Sequence, residues 1–467
     1  MALALHPHAP SARPLRGAKF GGGVMAGRSD VQKSIDIAVR RGYDLSVVSA
    51  LSGATQHLID SCAEARSGLY GHSMMMAALA NSHFDQFKKL NDGVHQDADT
   101  QMLHEQLYAA LHFISSRRGR LSSQSFLALQ AHVLGFGERL SALSFSKLSG
   151  FKLLRPEDVQ FRLAGPNPTS AKPAGCQITP AHLEGNQVVF PGYYGLYPAA
   201  EGGVEGWEGE LFGVMGRGAS DLTLAVLARA LYDTGHYRAD GVQIDYYKNV
   251  SHFMSADPQI VREAAVRREH MTFFEVSSLD SKNLDPRSAQ QLDGTAIVAR
   301  IVPFGDPGHP GTRIAQGKPE GANGFSISQK PKCLLTIRDA NMVDSVGFLM
   351  DALAPLRSES ISFDDLTTAS IVISFTVDRG DGERALSALR QAGFDPQLQS
   401  DVTVVSPVTD LLRLARLDHV VSDVLGQLDI HNLMRNQAQG GEPRVLVRDA
   451  DAAPFIRALH ARLLNHS

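Results

Sequence analysis

Apolar and polar positions along the chain fall into two textures. Through the first two thirds, short β-rich apolar runs alternate with longer segments at helical spacing. Leu45-Ser46-Val47-Val48-Ser49-Ala50 is a run of the kind buried in parallel sheets. Before it, Asp30 to Arg41 carries an apolar stripe (Val31, Ile35, Ile37, Ala38) that predicts a helix. After it the chain re-enters helix at Gln56, and residues 56–150 read as helix-rich. Gln187-Val188-Val189-Phe190 and Val242 to Tyr247 predict further strands, and Leu222, Ala225, Val226, Leu227 and Leu231 predict another helix. This alternation is α/β logic. The Pro/Gly/Ser-rich residues 164–182 predict a loop or linker.

From about residue 331 the order changes. Cys333 to Ile337 predicts a strand, Val346 to Leu356 a helix, Ser370 to Val377 a strand and Glu383 to Ala392 a helix. A second pass follows: Val402 to Val405, a helix near His419–Leu428, Arg444 to Val447 and a closing helix to Leu464. Two rough β-α-β-β-α units suggest a pair of small regulatory modules.

Composition narrows the class. A chain of 467 residues exceeds what one core supports, so two or more domains are expected. A net charge of −4 gives no basic excess for nucleic acid or an anionic membrane. Cys62, Cys176 and Cys333 lie far apart in no metal-ligand spacing and read as reduced thiols of a cytoplasmic protein. No apolar run approaches a membrane span, and residues 1–16 read as a disordered lead-in without a signal-peptide core. The histidines show no paired ligand spacing, so no protein-held metal is assigned.

The candidate chemistry sits in two glycine clusters. Lys19 precedes consecutive glycines at a strand-to-helix turn, where backbone approaches a phosphate closely and the ammonium offsets negative oxygen; it is equally a surface lysine before a flexible turn. Met215-Gly216-Arg217-Gly218-Ala219-Ser220-Asp221 opens a helix, which favours an anion. Arg217 has the fork to grip a carboxylate, and Asp221 is either a reacting-site carboxylate or a helix-start charge. Glu138, Thr55 and Lys282 each have an ordinary reading too: a solvent-facing glutamate, a helix cap and a lone lysine.

Taken in order, these segments resemble aspartate kinases of the amino acid kinase family. Lys19-Phe20-Gly21-Gly22 matches KFGG, and Val47 through Thr55 matches VVSAxSGxT. Phe136-Gly137-Glu138 matches the FGE helix, Pro191-Gly192-Tyr193-Tyr194-Gly195 the GFxG turn, and Gly216 through Asp221 the GRGGSD loop. Lys248 through Pro258 is similar to the nucleotide segment, Lys282 through Pro286 to K-V-L-H-P, and Pro310-Gly311-Thr312 to the closing PGT. The resemblance implies a three-layer α/β/α sandwich over residues 17–325, followed by two ferredoxin-like (βαββαβ) ACT domains at 326–398 and 399–467. It implies transfer of the ATP γ-phosphoryl group to the β-carboxylate of L-aspartate, with Mg2+ carried by ATP. Lys19 and Asp221 would be catalytic. Thr55, Glu138, Arg217, Ser220 and Tyr193 would bind the amino acid, with Arg217 on its α-carboxylate and Glu138 on its ammonium. Gly21, Gly22, Lys248, Asn249, Met254 and Lys282 would face ATP. Met342, Asp344, Ser345, Gly347, Phe348, Leu349 and Asp364 match the effector region, so lysine or threonine is an expected effector and the ACT pair an expected homodimer contact.

The departures gather on the nucleotide side. Gly23-Val24 replaces Thr-Ser, Asn249 an aspartate, His252 a glycine, Met254 a tyrosine, Gln259 an arginine and Asp285 a histidine. They leave open a kinase for another amino-acid carboxylate, and a catalytically weak amino-acid sensor.

Overall fold

The computed structural model describes residues 14–67, 98–198, 204–216, 218–238, 241–250, 252–279, 283–322, 324–343, 345–359, 361–409, 414–436 and 442–465. The chain divides into two compact units. One is made of Met1–His252, Glu269–Ser277 and Ser281–Lys318, the other of Phe253–Arg268, Ser278–Asp280 and Pro319–Ser467.

The first unit is built on an eight-stranded sheet. Its strands are β1 (Leu15–Phe20), β2 (Leu45–Val48), β3 (Lys152–Leu153), β4 (Val188–Pro191), β5 (Val242–Lys248), β6 (His270–Thr272), β7 (Val298–Pro303) and β8 (Thr312–Ala315). Their order is β6-β8-β7-β5-β1-β2-β4-β3, and neighbours run parallel except β7 with β8. The unit's longer helices among the described residues are α1 (Arg28–Arg41), α2 (Ala54–Ser67), α3 (Ala98–Ser116), α4 (Ser123–Leu134), α5 (Phe136–Ser149) and α6 (Ser220–Asp233). All four residues of β2 and of β4 are buried, as expected for central parallel strands.

Strand β1 shows how the layers form. Successive side chains of a strand point to opposite faces. Gly17 faces α6: a Cβ there would lie 3.1 Å from Leu224. Phe20, of opposite parity, stacks on Tyr247 with ring centres 5.0 Å apart and lies 6.1 Å from Phe145 of α5. Helices therefore cover both faces of the sheet, and Lys19 shares the α6 side with Gly17.

The composition of residues 164–182 misleads. They include the strand Lys172–Gly175, which joins Arg162–Ala164, Tyr194–Tyr197 and Leu211–Val214 in a separate four-stranded sheet. Lys172–Gly175 lies at the edge of that sheet, the position where a proline such as Pro173 is tolerated.

The second unit repeats one element order twice: β9 (Ser326–Arg338), α7 (Phe348–Ser358), β10 (Phe363–Ala369), β11 (Val372–Asp378) and α8 (Gly382–Gln391), then β12 (Pro396–Val408), α9 (Leu414–Gln427), β13 (Met434–Asn436), β14 (Arg444–Arg448) and α10 (Asp449–Leu464). The strands form one antiparallel sheet, β10-β11-β9-β12-β14-β13. β9 and β12 are 13 residues each, and their pairing shifts register between Lys332 and Leu334. On one side of the shift they belong with β11, on the other with β14. Leu335, Ile337, Phe375 and Leu389 centre the core of the first repeat. The segment Phe253–Arg268 closes on itself through Phe253–Met254 paired with Arg267–Arg268. The Ile327 N–H donates to the Ser255 carbonyl at 2.8 Å, and Ser255 Oγ shares a 2.8 Å hydrogen bond with His460 Nε2.

Candidate active site

The carboxyl ends of β1, β2, β4 and β5 lie side by side in the sheet, the usual location for a ligand in an open α/β fold. β1 ends at Lys19-Phe20, β2 runs into Ser49-Ala50, β4 into Gly192-Tyr193, and β5 ends at Lys248. The ends of β1, β2 and β4, with the starts of α2, α5 and α6, line a cavity of about 410 Å³, whose lining includes Lys19, Thr55, Glu138, Tyr193, Gly218 and Ser220.

Close approach at this cavity depends on glycine. A Cβ on Gly192 would lie 2.6 Å from Ser220 Cβ, so only glycine lets the β4 turn meet the start of α6. Tyr193 follows at φ 74°, a left-handed conformation unusual for a large side chain, held by its N–H donating to Thr223 Oγ1 at 3.0 Å. Gly137 in α5 stands where a Cβ would come within 2.8 Å of Ala50 Cβ, which seats Glu138 against the end of β2.

Lys19 and Asp221, about 200 residues apart in the chain, meet as a buried ion pair with Nζ 2.8 Å from Oδ1. Lys248 holds the other oxygen at 2.7 Å, and the Asp285 N–H approaches the same oxygen at 3.4 Å. Burial pushes the Asp221 carboxyl up, but Lys19 and Lys248 together outweigh that cost and hold it below its usual range. Desolvation lowers the Lys19 ammonium, while Asp221 favours its charged form.

Glu138 is the other charge-bearing wall. It is buried, and its Oε2 has no hydrogen-bond partner. Desolvation lifts its carboxyl to about 8, against opposing pulls from the Ala50 backbone, its own backbone and Lys19. An unpartnered acceptor of this kind on a cavity wall is a ready place for a cationic donor, which would restore the lost hydrogen bond and charge balance together.

The structure thus brings together Lys19, Gly22, Thr55, Glu138, Tyr193 and Ser220 around one cavity, with Asp221 paired to Lys19 behind it and Lys248 paired to Asp221. Gly21 is packed so that a Cβ would fall 2.8 Å from Lys19 Nζ. Asn249 Nδ2 donates to the Gly23 carbonyl at 3.1 Å. Met254 lies in the second unit, paired with Arg267. Arg217, Lys282 and Asp344 lie outside the described residues. Of the effector candidates, Met342, Ser345 and Gly347 form the turn before α7, and Phe348 and Leu349 begin it, with Met342, Phe348 and Leu349 packed on the core of the first repeat. Asp364 is ion-paired to the buried Lys332, which also holds Asp378, both at 2.6 Å.

Several lining and supporting residues escape motif reading. Gln56 and Ile59 line the cavity from the first turns of α2, where spacing from Thr55 alone could have exposed them. Arg287 clasps Asp285 at 2.6 Å and donates to the Met215 carbonyl at 2.7 Å, bracing the loop before α6. Among the described residues no group of three or more His, Cys, Asp or Glu converges to hold a metal ion.

Comparison with known proteins agrees with the geometry. No family model matches the chain. Lysine-sensitive aspartokinase 3 of Escherichia coli is 25% identical over 382 residues, covering 77% of each chain. The structure of E. coli aspartokinase III with lysine and aspartate superposes with a TM-score of 0.73 at 21% identity, covering 96% of this chain and 99% of that one. The same enzyme with aspartate and ADP gives a TM-score of 0.70 at 21% identity, with 96% and 100% coverage. The fold is that of the aspartokinases.

Proposed function

We propose that this chain, a divergent homologue of the aspartokinases, transfers the γ-phosphoryl group of ATP to the side-chain carboxylate of L-aspartate, giving 4-phospho-L-aspartate and ADP. The observation that carries the reading is one cavity flanked by both a buried Lys19–Asp221 ion pair and the Glu138 carboxyl, whose Oε2 has no hydrogen-bond partner.

The acceptor carboxylate is already ionised at neutral pH, so it attacks phosphorus without a general base. One carboxylate oxygen bonds to the γ-phosphorus as the bond to the β–γ bridging oxygen breaks, and ADP leaves with the bonding pair. What the protein must supply is alignment and positive charge. Lys19 faces the transferring phosphoryl oxygens, and Asp221 fixes the direction of its ammonium. Glu138 takes the ammonium of the amino acid, Arg217 its α-carboxylate, and Thr55, Tyr193 and Ser220 complete the pocket. Gly21, Gly22, Asn249 and Lys282 serve the nucleotide. Mg2+ arrives with ATP and neutralises phosphate charge, held chiefly by phosphate oxygens. The regulatory modules take an amino-acid effector, lysine or threonine, and join two copies of the chain.

An acceptor series tests the reading. ADP release with ATP should be supported by L-aspartate and should fall at least about 100-fold with succinate, which lacks the amine that Glu138 awaits. Equal rates with both would remove the amino-acid assignment, and no release with either would remove the kinase.

A further inference from the structure

Lys248 stands apart from the other charged groups of the site. It is the last residue of β5, on the strand next to β1. In the parallel register Lys19 lies opposite Tyr246, so Lys248 follows one alternation further along the same face. That face looks toward α6: Ile244 lies beside Gly17, and Tyr246 OH reaches the Asp221 carbonyl at 3.4 Å. Strand alternation therefore places both ammonium groups on the same carboxylate, one on each oxygen.

Of these three residues, only Lys19 lines the cavity. The consequence is electrostatic. An ammonium paired one-to-one with a buried carboxylate presents a neutral pair to an incoming phosphate, and its attraction at a distance largely cancels. A second ammonium on the carboxylate leaves the group with one net positive charge. Among the described residues, the neighbouring Asn249 is neutral, the Asp285 carboxylate is taken up by Arg287, and Glu138, which acts on Lys19 electrostatically across the cavity, is the carboxyl assigned above to the ammonium of the amino acid.

We infer that Lys248 is a positioning residue for phosphoryl transfer, which acts through Asp221 by taking up its negative charge and so leaving the charge of Lys19 available to the transferring group. The inference rests on the phosphoryl-transfer reading above. It departs from a plain nucleotide contact, because its effect reaches the phosphate by way of Lys19.

The test uses the full chain with ATP and L-aspartate. Lys248→Gln keeps a hydrogen-bond donor to Asp221 Oδ2 and removes the charge; Lys248→Arg keeps both. The glutamine variant should lose about 100-fold in kcat, of the order seen when one charge-stabilising donor is removed, while the KM for aspartate stays within about twofold. The arginine variant should recover most of that loss. Wild-type rates in Lys248→Gln, or equal losses in the glutamine and arginine variants, would overturn the inference. Lys248→Met makes the same comparison if the glutamine variant gives no cooperative melt. Failure of the wild-type chain to turn over any acceptor would instead strike the phosphoryl-transfer reading, so the two failures are distinguishable.

Discussion

At the scale of single residues, burial decides which charges do chemistry. Glu138 shows this best. Burial pushes its carboxyl up to about 8, well above the ordinary 4.5. A group whose folded pKa is raised contributes stability that is complete below the ordinary value and lost as pH rises through the folded one. The ligand-free protein should therefore melt several degrees lower at pH 9 than at pH 5, and Glu138→Gln should flatten that dependence. Binding runs the other way. An ammonium is accepted only by the ionised form, so the KM for aspartate should fall as pH rises from 6 to 8 and level off above. A pH series of KM values checks this, and a Glu138→Gln variant with the same slope would contradict it. Motif order made Lys19, Asp221, Thr55 and Ser220 legible in the sequence. Lys248 was visible only as part of a nucleotide segment, because its partnership with Asp221 is a matter of strand register across 27 residues of chain. Arg287 and Gln56 carried no motif at all.

At the scale of elements, glycines set how closely strands and helices meet. Gly192 is the sharpest case, since an added methyl would press on Ser220 at 2.6 Å from its Cβ and 3.0 Å from its Cα. Gly192→Ala should cost about 1–3 kcal/mol of stability, the usual range for overpacking, and should depress turnover further by displacing the start of α6. Thermal melts and kcat read these separately; an unaltered kcat would mean that the turn does not position the cavity wall. The α/β alternation and the outline of both passes of the C-terminal repeat could be read from periodicity, because apolar runs and amphipathic stripes are local signals, although it does not single out the strands β10 and β13. The four-stranded sheet around Lys172–Gly175 could not. An edge strand rich in Pro, Gly and Lys gains its order from its neighbour Arg162–Ala164 rather than from its own pattern.

At the scale of the molecule, two units with separate cores share one chain that crosses between them more than once. The stretch leaving β5 carries Lys248 and Asn249 in the first unit and, a few residues on, Ser255, bonded to His460 in the second. Substrates bound at the first unit should stabilise it by mass action, by about 2.7 kcal/mol at a ligand concentration 100 times its dissociation constant. A rise in melting temperature with ATP and aspartate, lost in Asp221→Ala, would follow. The most direct test of the central claim is to trap the product. An acyl phosphate reacts with hydroxylamine to give a hydroxamate, so incubation of the full chain with ATP, Mg2+, L-aspartate and hydroxylamine should yield aspartyl hydroxamate in step with ADP. Lys19→Met should yield neither. ADP release without hydroxamate, or an undiminished yield from Lys19→Met, would contradict phosphoryl transfer at this cavity.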